Sequence, residues 1–214
     1  MPFTRHNCPI MEDNPAPPPV PDAASLREAA LAHLARFATT EQGLRQMLDR
    51  RLRRWGVRAS HAGLPNEDIE SAIAALRPAI DGIVASMTDL GAVDDAGFAR
   101  SRATSLTRTG RSRRAVEAHL ANKGVDQETV RDALNDSLGE RSDSSAREAE
   151  LAAALVLARK RRLGPFQRPD REDDDSLKTL GIFARNGFSR DVAQSVLDMD
   201  PEEAEDRIIA FRSL

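Results

Sequence analysis

Residues 124–134 read GVDQETVRDAL, and two further stretches align with them without a gap: GLPNEDIESAI at 63–73 and GFSRDVAQSVL at 187–197. Each stretch begins with Gly, continues with an apolar residue and ends on Ile or Leu. The three glycines are 61 and then 63 positions apart. Repetition at a long, nearly constant period is typical of a supersecondary unit that shares a core with its neighbours. The pattern therefore predicts a tandem-repeat protein, an architecture suited to binding.

Each copy of the stretch has the residues of a turn between two helices. Gly tolerates the left-handed conformation that often ends a helix, which costs other residues more. Asp126 and Ser189 have side-chain oxygens that can cap the helix that follows. Pro65 has no such oxygen, so Asn66 is the expected cap in the first copy. Each unit is therefore predicted to be helix, tight turn, helix.

The composition favours an all-α fold. The chain has 214 residues with only 4% aromatics and no Tyr, and Ala, Leu and Arg dominate it. The net charge of −3 gives no overall basic excess, and the single cysteine, Cys8, permits no intrachain disulfide. No apolar run approaches the roughly 20 residues of a membrane-spanning helix, and the N-terminus lacks the apolar core of a signal peptide. We therefore expect a cytoplasmic protein with no membrane partner.

Proline, glycine and charge mark out five segments along the chain. The sequence predicts a disordered Pro-rich tail at 1–22 and a C-terminal helix at 201–214. Between them it predicts three helical repeats, at 23–90, 91–140 and 141–200. Pro78 should kink or split the helix expected over 66–88. Thr39 or Thr40, Asp94 or Asp95, and Ser112 are the expected caps of later helices. Residues 170–175 form a strongly acidic loop.

Two clusters of basic residues depart from the near-neutral average. One is opposed only by Asp49 and consists of Arg45, Arg50, Arg51, Arg53, Arg54 and Arg58. The other is opposed only by Glu117 and consists of Arg100, Arg102, Arg108, Arg111, Arg113, Arg114 and Lys123. Such clusters can bind phosphates or the carboxylates of a protein partner. The alternative is that they are solvated helix faces with local ion pairs. Trp55 is the only large aromatic near the first cluster, so base stacking is not favoured.

The sequence shows no pattern of catalysis. It has no phosphate-binding loop ending in Gly-Lys-Ser or Gly-Lys-Thr, no His-Glu-x-x-His pair and no Gly-x-Ser-x-Gly elbow. Its four histidines are scattered, and His119 is expected to be a partly buried structural residue. Asp94 and Asp95 could form a carboxylate pair, but capping the next helix is the favoured interpretation. We therefore expect no enzyme activity, no metal and no cofactor.

Four segments of the chain resemble the RecX family, the regulators of the RecA recombinase. They are VDDAGFARSR at 93–102, GRSRRAV at 110–116, HLANKGV at 119–125 and FARNGFS at 183–189. The last has Asn186 where the family pattern has Arg. The resemblance extends more loosely to the rest of 24–198.

The resemblance implies three tandem three-helix units that form an elongated, curved helical array. It implies binding to the RecA filament on single-stranded DNA, with inhibition of filament growth, ATP hydrolysis and strand exchange favoured over stimulation. A monomer is expected, with single-stranded DNA itself a weaker partner. The expected contact residues are Arg100, Arg102, Arg108, Arg111, Arg113, Arg114, Lys123, Arg50, Arg51, Arg53 and Arg54. Replacing Arg111, Arg113 and Arg114 with Glu is expected to abolish filament binding while leaving helicity and the melting temperature nearly unchanged.

Two other functions stay open at this point. The predicted helices at 112–122 and 127–138 have the lengths of a helix-turn-helix that binds duplex DNA. Against this, the second helix and its cap carry Asp126, Glu128, Asp132 and Asp136, whereas a helix in the major groove should not be acidic. The remaining alternative is a helical-repeat adaptor for another protein.

Overall fold

A computed structural model of the chain describes residues 16–167 and 176–213. Within these ranges the chain forms ten α-helices and no strand, which confirms the all-α prediction. The helices are α1 Ala23–Leu34, α2 Glu41–His61, α3 Asn66–Asp89, α4 Asp95–Arg108, α5 Arg113–Asn122, α6 Gln127–Leu138, α7 Ser144–Arg161, α8 Ser176–Arg185, α9 Arg190–Leu197 and α10 Pro201–Ser213. A short 3-10 turn, Gly164–Phe166, follows α7. The acidic loop at 170–175 and most of the Pro-rich tail lie outside the described residues.

The three aligned glycines adopt one geometry, as predicted. Gly63, Gly124 and Gly187 have φ angles of 88°, 80° and 86°, in the left-handed region that favours glycine. In each case the Gly N–H donates to the carbonyl three residues back, and the next N–H donates to the carbonyl five residues before it. This pair of bonds is the Schellman motif, which satisfies carbonyls left open at a helix end. The sequence repeat is thus a structural repeat.

Most predicted helix caps are present. In the first repeat, one cap prediction and the prediction of a split at Pro78 are wrong. Asp126 accepts from Glu128 N and Thr129 N, and Ser189 accepts from Val192 N. Asn66 is not a cap: it is the first residue of α3, and Pro65 precedes it with no side-chain cap bond. Pro78 does not split the helix, because α3 runs unbroken from Asn66 to Asp89.

The chain divides into two compact units. The first comprises residues up to 37 and 44–90, and it contains α1, most of α2 and α3. Its buried residues include some on α1 and α3 and one stripe of α2 that faces α3, namely Leu44, Leu48, Leu52, Trp55 and Ala59. Trp55 packs in a cluster with Ala59 and Ile69.

The second unit comprises residues 38–43 and 91–214. Helices α4, α5 and α6 contact one another around a core that includes Val116, Leu120 and Leu134. Helix α7 contacts α4, α6, α9 and α10. Its residues 152–158 are all buried, so this segment is covered on every side. The edge-to-face pair of Phe183 and Phe188 completes the core around α7.

Within the second unit, the same pattern of hydrogen bonds between a helix N-terminus and a glycine turn occurs twice. The buried hydroxyl of Thr40 donates to the Lys123 carbonyl at 2.6 Å and accepts from Gly43 N at 3.0 Å. The buried hydroxyl of Ser112 donates to the Asn186 carbonyl at 2.7 Å and accepts from Ala115 N at 3.1 Å. Each hydroxyl caps its own helix while bonding the carbonyl just before a turn glycine. We call these the first junction and the second junction.

A carboxylate completes each junction. Asp95 accepts from Glu41 N at 2.9 Å in the first junction, and Glu150 accepts from Arg113 N at 2.8 Å in the second. Burial raises the pKa of both carboxyls, and the hydrogen bonds they accept only partly offset that effect. The turn glycines allow the close approach, because a Cβ on Gly187 would lie 2.4 Å from Ser112 Oγ.

Candidate functional site

The first arginine cluster lies on several faces of α2. Arg51, Arg54 and Arg58 line one groove together with Trp55. Arg45 lies on another side, where it forms an ion pair with Asp81 at 2.9 Å. The remaining members, Arg50 and Arg53, are exposed, and Arg53 lines the groove that also holds Arg45 and Asp81. Apart from Arg45, no arginine of this cluster forms a salt bridge with any residue the structure describes.

The second cluster separates into four parts, of which the largest surrounds His119. Desolvation lowers the pKa of His119, and the nearby charges of Lys123, Arg102 and Arg111 lower it further. Because Lys123 follows α5, Arg102 is on α4 and Arg111 is in the turn between the two helices, three elements contribute one cation each. We call these three residues the His119 face.

The cations of the His119 face are accessible. Arg102, Arg111 and Lys123 are exposed, and within the described ranges none of them forms a salt bridge. The guanidinium of Arg102 lies over the Phe98 ring, 5.5 Å from its centroid. This stacking holds one cation in place while leaving it charged and exposed. The face can therefore bind phosphate or carboxylate groups.

Arg100 and Arg108 lie in a separate groove. They are on α4, and the floor between α4, α7 and α10 is apolar, including Ala149, Ala152 and Phe211. Asp136 and Glu148 also line this groove, so its charge is mixed. The sequence analysis did not include α10 in any site, although the apolar positions of that helix could have indicated packing on a neighbour.

Arg113 is occupied by the fold, unlike its neighbours in the sequence. Its side chain donates to the Gly139 carbonyl at 2.8 Å and to the Asn135 side chain, while its backbone N–H bonds Glu150. It is half-buried, and burial lowers the pKa of its guanidinium. These contacts argue against the expectation that replacing Arg113 together with Arg111 and Arg114 leaves the melting temperature nearly unchanged. Arg114 is exposed beside Arg141 and Arg147, two cations that sequence reasoning had left out.

Two other kinds of site were sought in the described part of the chain. No group of three or more His, Cys, Asp or Glu residues there is placed to hold a metal ion. None of its helices combines the length and apolar character needed to cross a membrane.

The repeated helical units define an all-α helical-repeat protein. A family model described as the RecX second three-helix domain matches residues 94–134, which contain almost all of α4 to α6. The regulatory protein RecX of Myxococcus xanthus is 33% identical over 177 residues, covering 82% of this chain and 86% of that protein. The chain belongs to the RecX family.

Other relatives carry the same printed name. The regulatory protein RecX of Agrobacterium fabrum is 36% identical over 115 residues, covering 54% of this chain and 56% of that protein. The protein of the same name from Mycobacterium avium is 30% identical over 185 residues, covering 85% and 90% respectively. No solved structure matches the chain. The family is thus one of regulatory proteins.

Proposed function

We propose that this chain modulates a RecA recombinase by binding its filament on single-stranded DNA, and that the modulation is inhibitory. Family membership supports this role, because the RecX resemblance implies RecA as the partner. The observation that carries the proposal is the His119 face, where α4, the turn after it and the end of α5 bring together exposed cations that form no ion pair with any described residue. A nucleoprotein filament offers the phosphates and carboxylates that such a face binds.

Occupancy of a filament by several weak contacts explains inhibition without catalysis. Contacts on one chain add through effective concentration, so modest individual affinities produce stable binding. Arg100 and Arg108 in their groove and Arg114 outside it provide additional contacts. Arg113 positions the N-terminus of α5 instead of contacting the partner.

The first test is the single-stranded-DNA-dependent ATPase rate of the cognate RecA with substoichiometric amounts of this chain. We expect a clear fall in rate. An unchanged rate, together with no co-sedimentation with filaments, would contradict the proposal and favour the adaptor function.

Charge reversal of the His119 face tests its role in binding. The variant Arg102→Glu, Arg111→Glu, Lys123→Glu should lose at least about tenfold in filament affinity, because each charge-assisted contact contributes on the order of 1 kcal/mol. Co-sedimentation at several salt concentrations measures it. The matched control is Arg161→Glu, Arg190→Glu, Arg212→Glu, which makes the same charge change at exposed positions outside the face. Equal loss in both variants would show that only net charge matters.

The helix-turn-helix alternative receives no support from the position of α6. Asp126 caps this helix, and Glu128 and Asp132 are exposed on its surface beside the lone cation Arg131. A protected sequence in duplex footprinting would nevertheless restore that alternative.

A further inference from the structure

The Pro-rich segment before α1 is bound to the first unit of the chain. Residues 16–21, here called the strap, form neither helix nor strand and include four prolines. The indole Nε1 of Trp55 donates to the Pro18 carbonyl at 3.3 Å. Pro-rich segments favour the extended polyproline conformation, whose carbonyls are free to accept such bonds from aromatic grooves. The strap is thus positioned as an intramolecular ligand of Trp55.

The strap and α2 form the two sides of one groove. Residues 18–21 line one side, and Arg51, Arg54 and Arg58 line the other together with Trp55. These arginines are spaced by three and four positions, so they lie on one face of the helix over about 10 Å. None of them forms a salt bridge within the described residues. The strap therefore covers the edge of a row of three uncompensated cations.

The charge of this groove suits a polyanion. Among the residues that the structure describes, Asp22 is the only carboxylate that lines it, and this side chain accepts from Ser25 N at 2.8 Å as the cap of α1. Arg50 and Arg53 extend the cationic surface around the same turns of α2, both exposed. Five arginines within nine residues of one helix offer a charge density that matches closely spaced backbone phosphates.

The strap is held by few interactions. One hydrogen bond fixes it to Trp55, and Val20 remains 57% exposed. Trp55 itself is 2% exposed and packs mainly on Ala59 and Ile69, so the core of the unit does not depend on the strap alone. A ligand that binds the arginine row can therefore displace the strap without unfolding the unit.

We propose that Arg51, Arg54 and Arg58 form a binding face for single-stranded nucleic acid, that the strap narrows the groove beside these exposed side chains, and that strap displacement widens it. The proposal deepens the expectation of weak DNA binding and is independent of RecA. It predicts that the intact chain binds a single strand weakly because its own segment competes for the groove.

The test loosens the strap without changing chain length or charge. The variant Pro17→Gly, Pro18→Gly, Pro19→Gly, Pro21→Gly removes the polyproline preference and makes the bound conformation entropically costlier. Trp55 is the only Trp and the chain has no Tyr, so intrinsic emission reports on this groove alone. We expect a red shift of the emission and easier quenching by acrylamide.

Affinity is measured by the anisotropy of a fluorescein-labelled oligo(dT) strand. The loosened-strap variant should bind about threefold to tenfold more tightly than the intact chain, the factor that removing one competing hydrogen-bonded contact gives. Adding Arg51→Glu, Arg54→Glu and Arg58→Glu should abolish this gain. The same reversal at Arg102, Arg111 and Lys123 should leave the gain intact, which separates this face from the proposed filament contact.

Three outcomes would overturn the proposal. They are an unchanged oligo(dT) affinity in the loosened-strap variant, a gain that survives reversal of the arginine row, and equal competition by poly-glutamate, which would assign the face to acidic proteins. Trp55→Phe offers a second route if the glycine variant folds poorly, because it keeps a six-membered aromatic ring and removes the indole donor together with part of the buried bulk. It should produce the same gain in oligo(dT) affinity.

Discussion

The two arginine clusters look alike in the sequence, but the fold uses them differently. On α2, Arg50, Arg51, Arg53 and Arg54 are all exposed, and within the described residues their side chains form no hydrogen bond to the main chain. The second cluster is part of the two junctions: Lys123 supplies the carbonyl that Thr40 bonds, and Arg113 supplies the N–H that Glu150 bonds. A run of positive charge therefore does not by itself define a binding surface.

The difference follows from where each cluster lies in its helices. The α2 cluster lies between Arg45 and Arg58 within a long helix, Glu41–His61, where most backbone donors and acceptors are already paired. The second cluster includes the start and the end of α5, where backbone groups need other partners. Mutations should therefore separate stability from binding in the second cluster and leave stability nearly unaffected in the first.

The largest expected effect is on stability, at Arg113. Arg113→Glu should lower the free energy of unfolding by about 3 kcal/mol, since it removes charge-assisted bonds to Gly139 and Asn135 and places a carboxylate near Glu150. Chemical denaturation measures the change. Arg114→Glu is the matched control, because the exposed Arg114 should cost less than about 0.5 kcal/mol. Equal stability of the two variants would contradict the assignment of Arg113 to the fold.

A smaller effect is expected at the turn glycine of the second junction. Gly187→Ala should cost about 2 kcal/mol, because φ is 86° and the added Cβ would meet Ser112 Oγ. The variant should also weaken filament binding through the second cluster while leaving oligo(dT) binding by the α2 cluster unchanged.

The control for this variant lies inside α3. An added Cβ at Gly82 meets no atom within 4 Å, so Gly82→Ala should stabilise the chain by about 0.5–1 kcal/mol. Thermal unfolding of both variants tests the contrast. Destabilisation at both positions would mean that the junction geometry is not what restricts residue 187.

The smallest effect concerns the pH dependence of stability at the junctions. Because burial raises the pKa of Asp95 and Glu150, their contribution to stability is full below the ordinary carboxyl pKa. It is lost as pH rises through the raised values. Asp95→Asn and Glu150→Gln keep an oxygen that can accept from the backbone N–H, and these amides do not ionise, so they do not lose stability as pH rises.

The stability of these variants relative to the natural chain should therefore improve between about pH 3 and pH 7. Hydrogen bonds lower the pKa of Asp22 and Asp126 and act in the opposite direction. Asp22 cancels in both differences, whereas Asp126, whose charge acts on Asp95, cancels only for Glu150→Gln. Urea unfolding across this range measures the trend. A difference that stays constant with pH would contradict it.

Local features of this fold could be predicted from the sequence, and long-range ones could not. The turns at Gly124 and Gly187 and the caps Asp126 and Ser189 depend on residues a few positions apart, and they were predicted correctly. The Asn66 cap was wrong because Pro65 already precedes the first turn of α3 in an extended conformation, and the helix begins there without a side-chain acceptor.

The sequence could not predict the two junctions or the division of the second arginine cluster. Thr40 and Lys123 are 83 positions apart, and Ser112 and Asn186 are 74 apart, with no sequence signal that pairs them. The role of Arg113 depends on Gly139 and Asn135, which reach it only after α6 packs on α5. Convergence on His119 likewise requires the fold.

Because the two junctions share one chemistry, the segment from α4 to α6 has matching connectors at its two ends. In the first junction, the Lys123 carbonyl of this segment accepts from the Thr40 hydroxyl, and its Asp95 carboxylate accepts from Glu41 N–H. In the second junction, its Ser112 hydroxyl donates to the Asn186 carbonyl, and its Arg113 N–H donates to the Glu150 carboxylate. Because the two ends are complementary, a duplicated copy of this segment would carry the hydroxyl, carboxylate and glycine needed to form the same junction again. The segment from α4 to α6 is therefore bonded through the same three chemical groups, a hydroxyl, a carboxylate and a carbonyl before glycine, at both of its junctions.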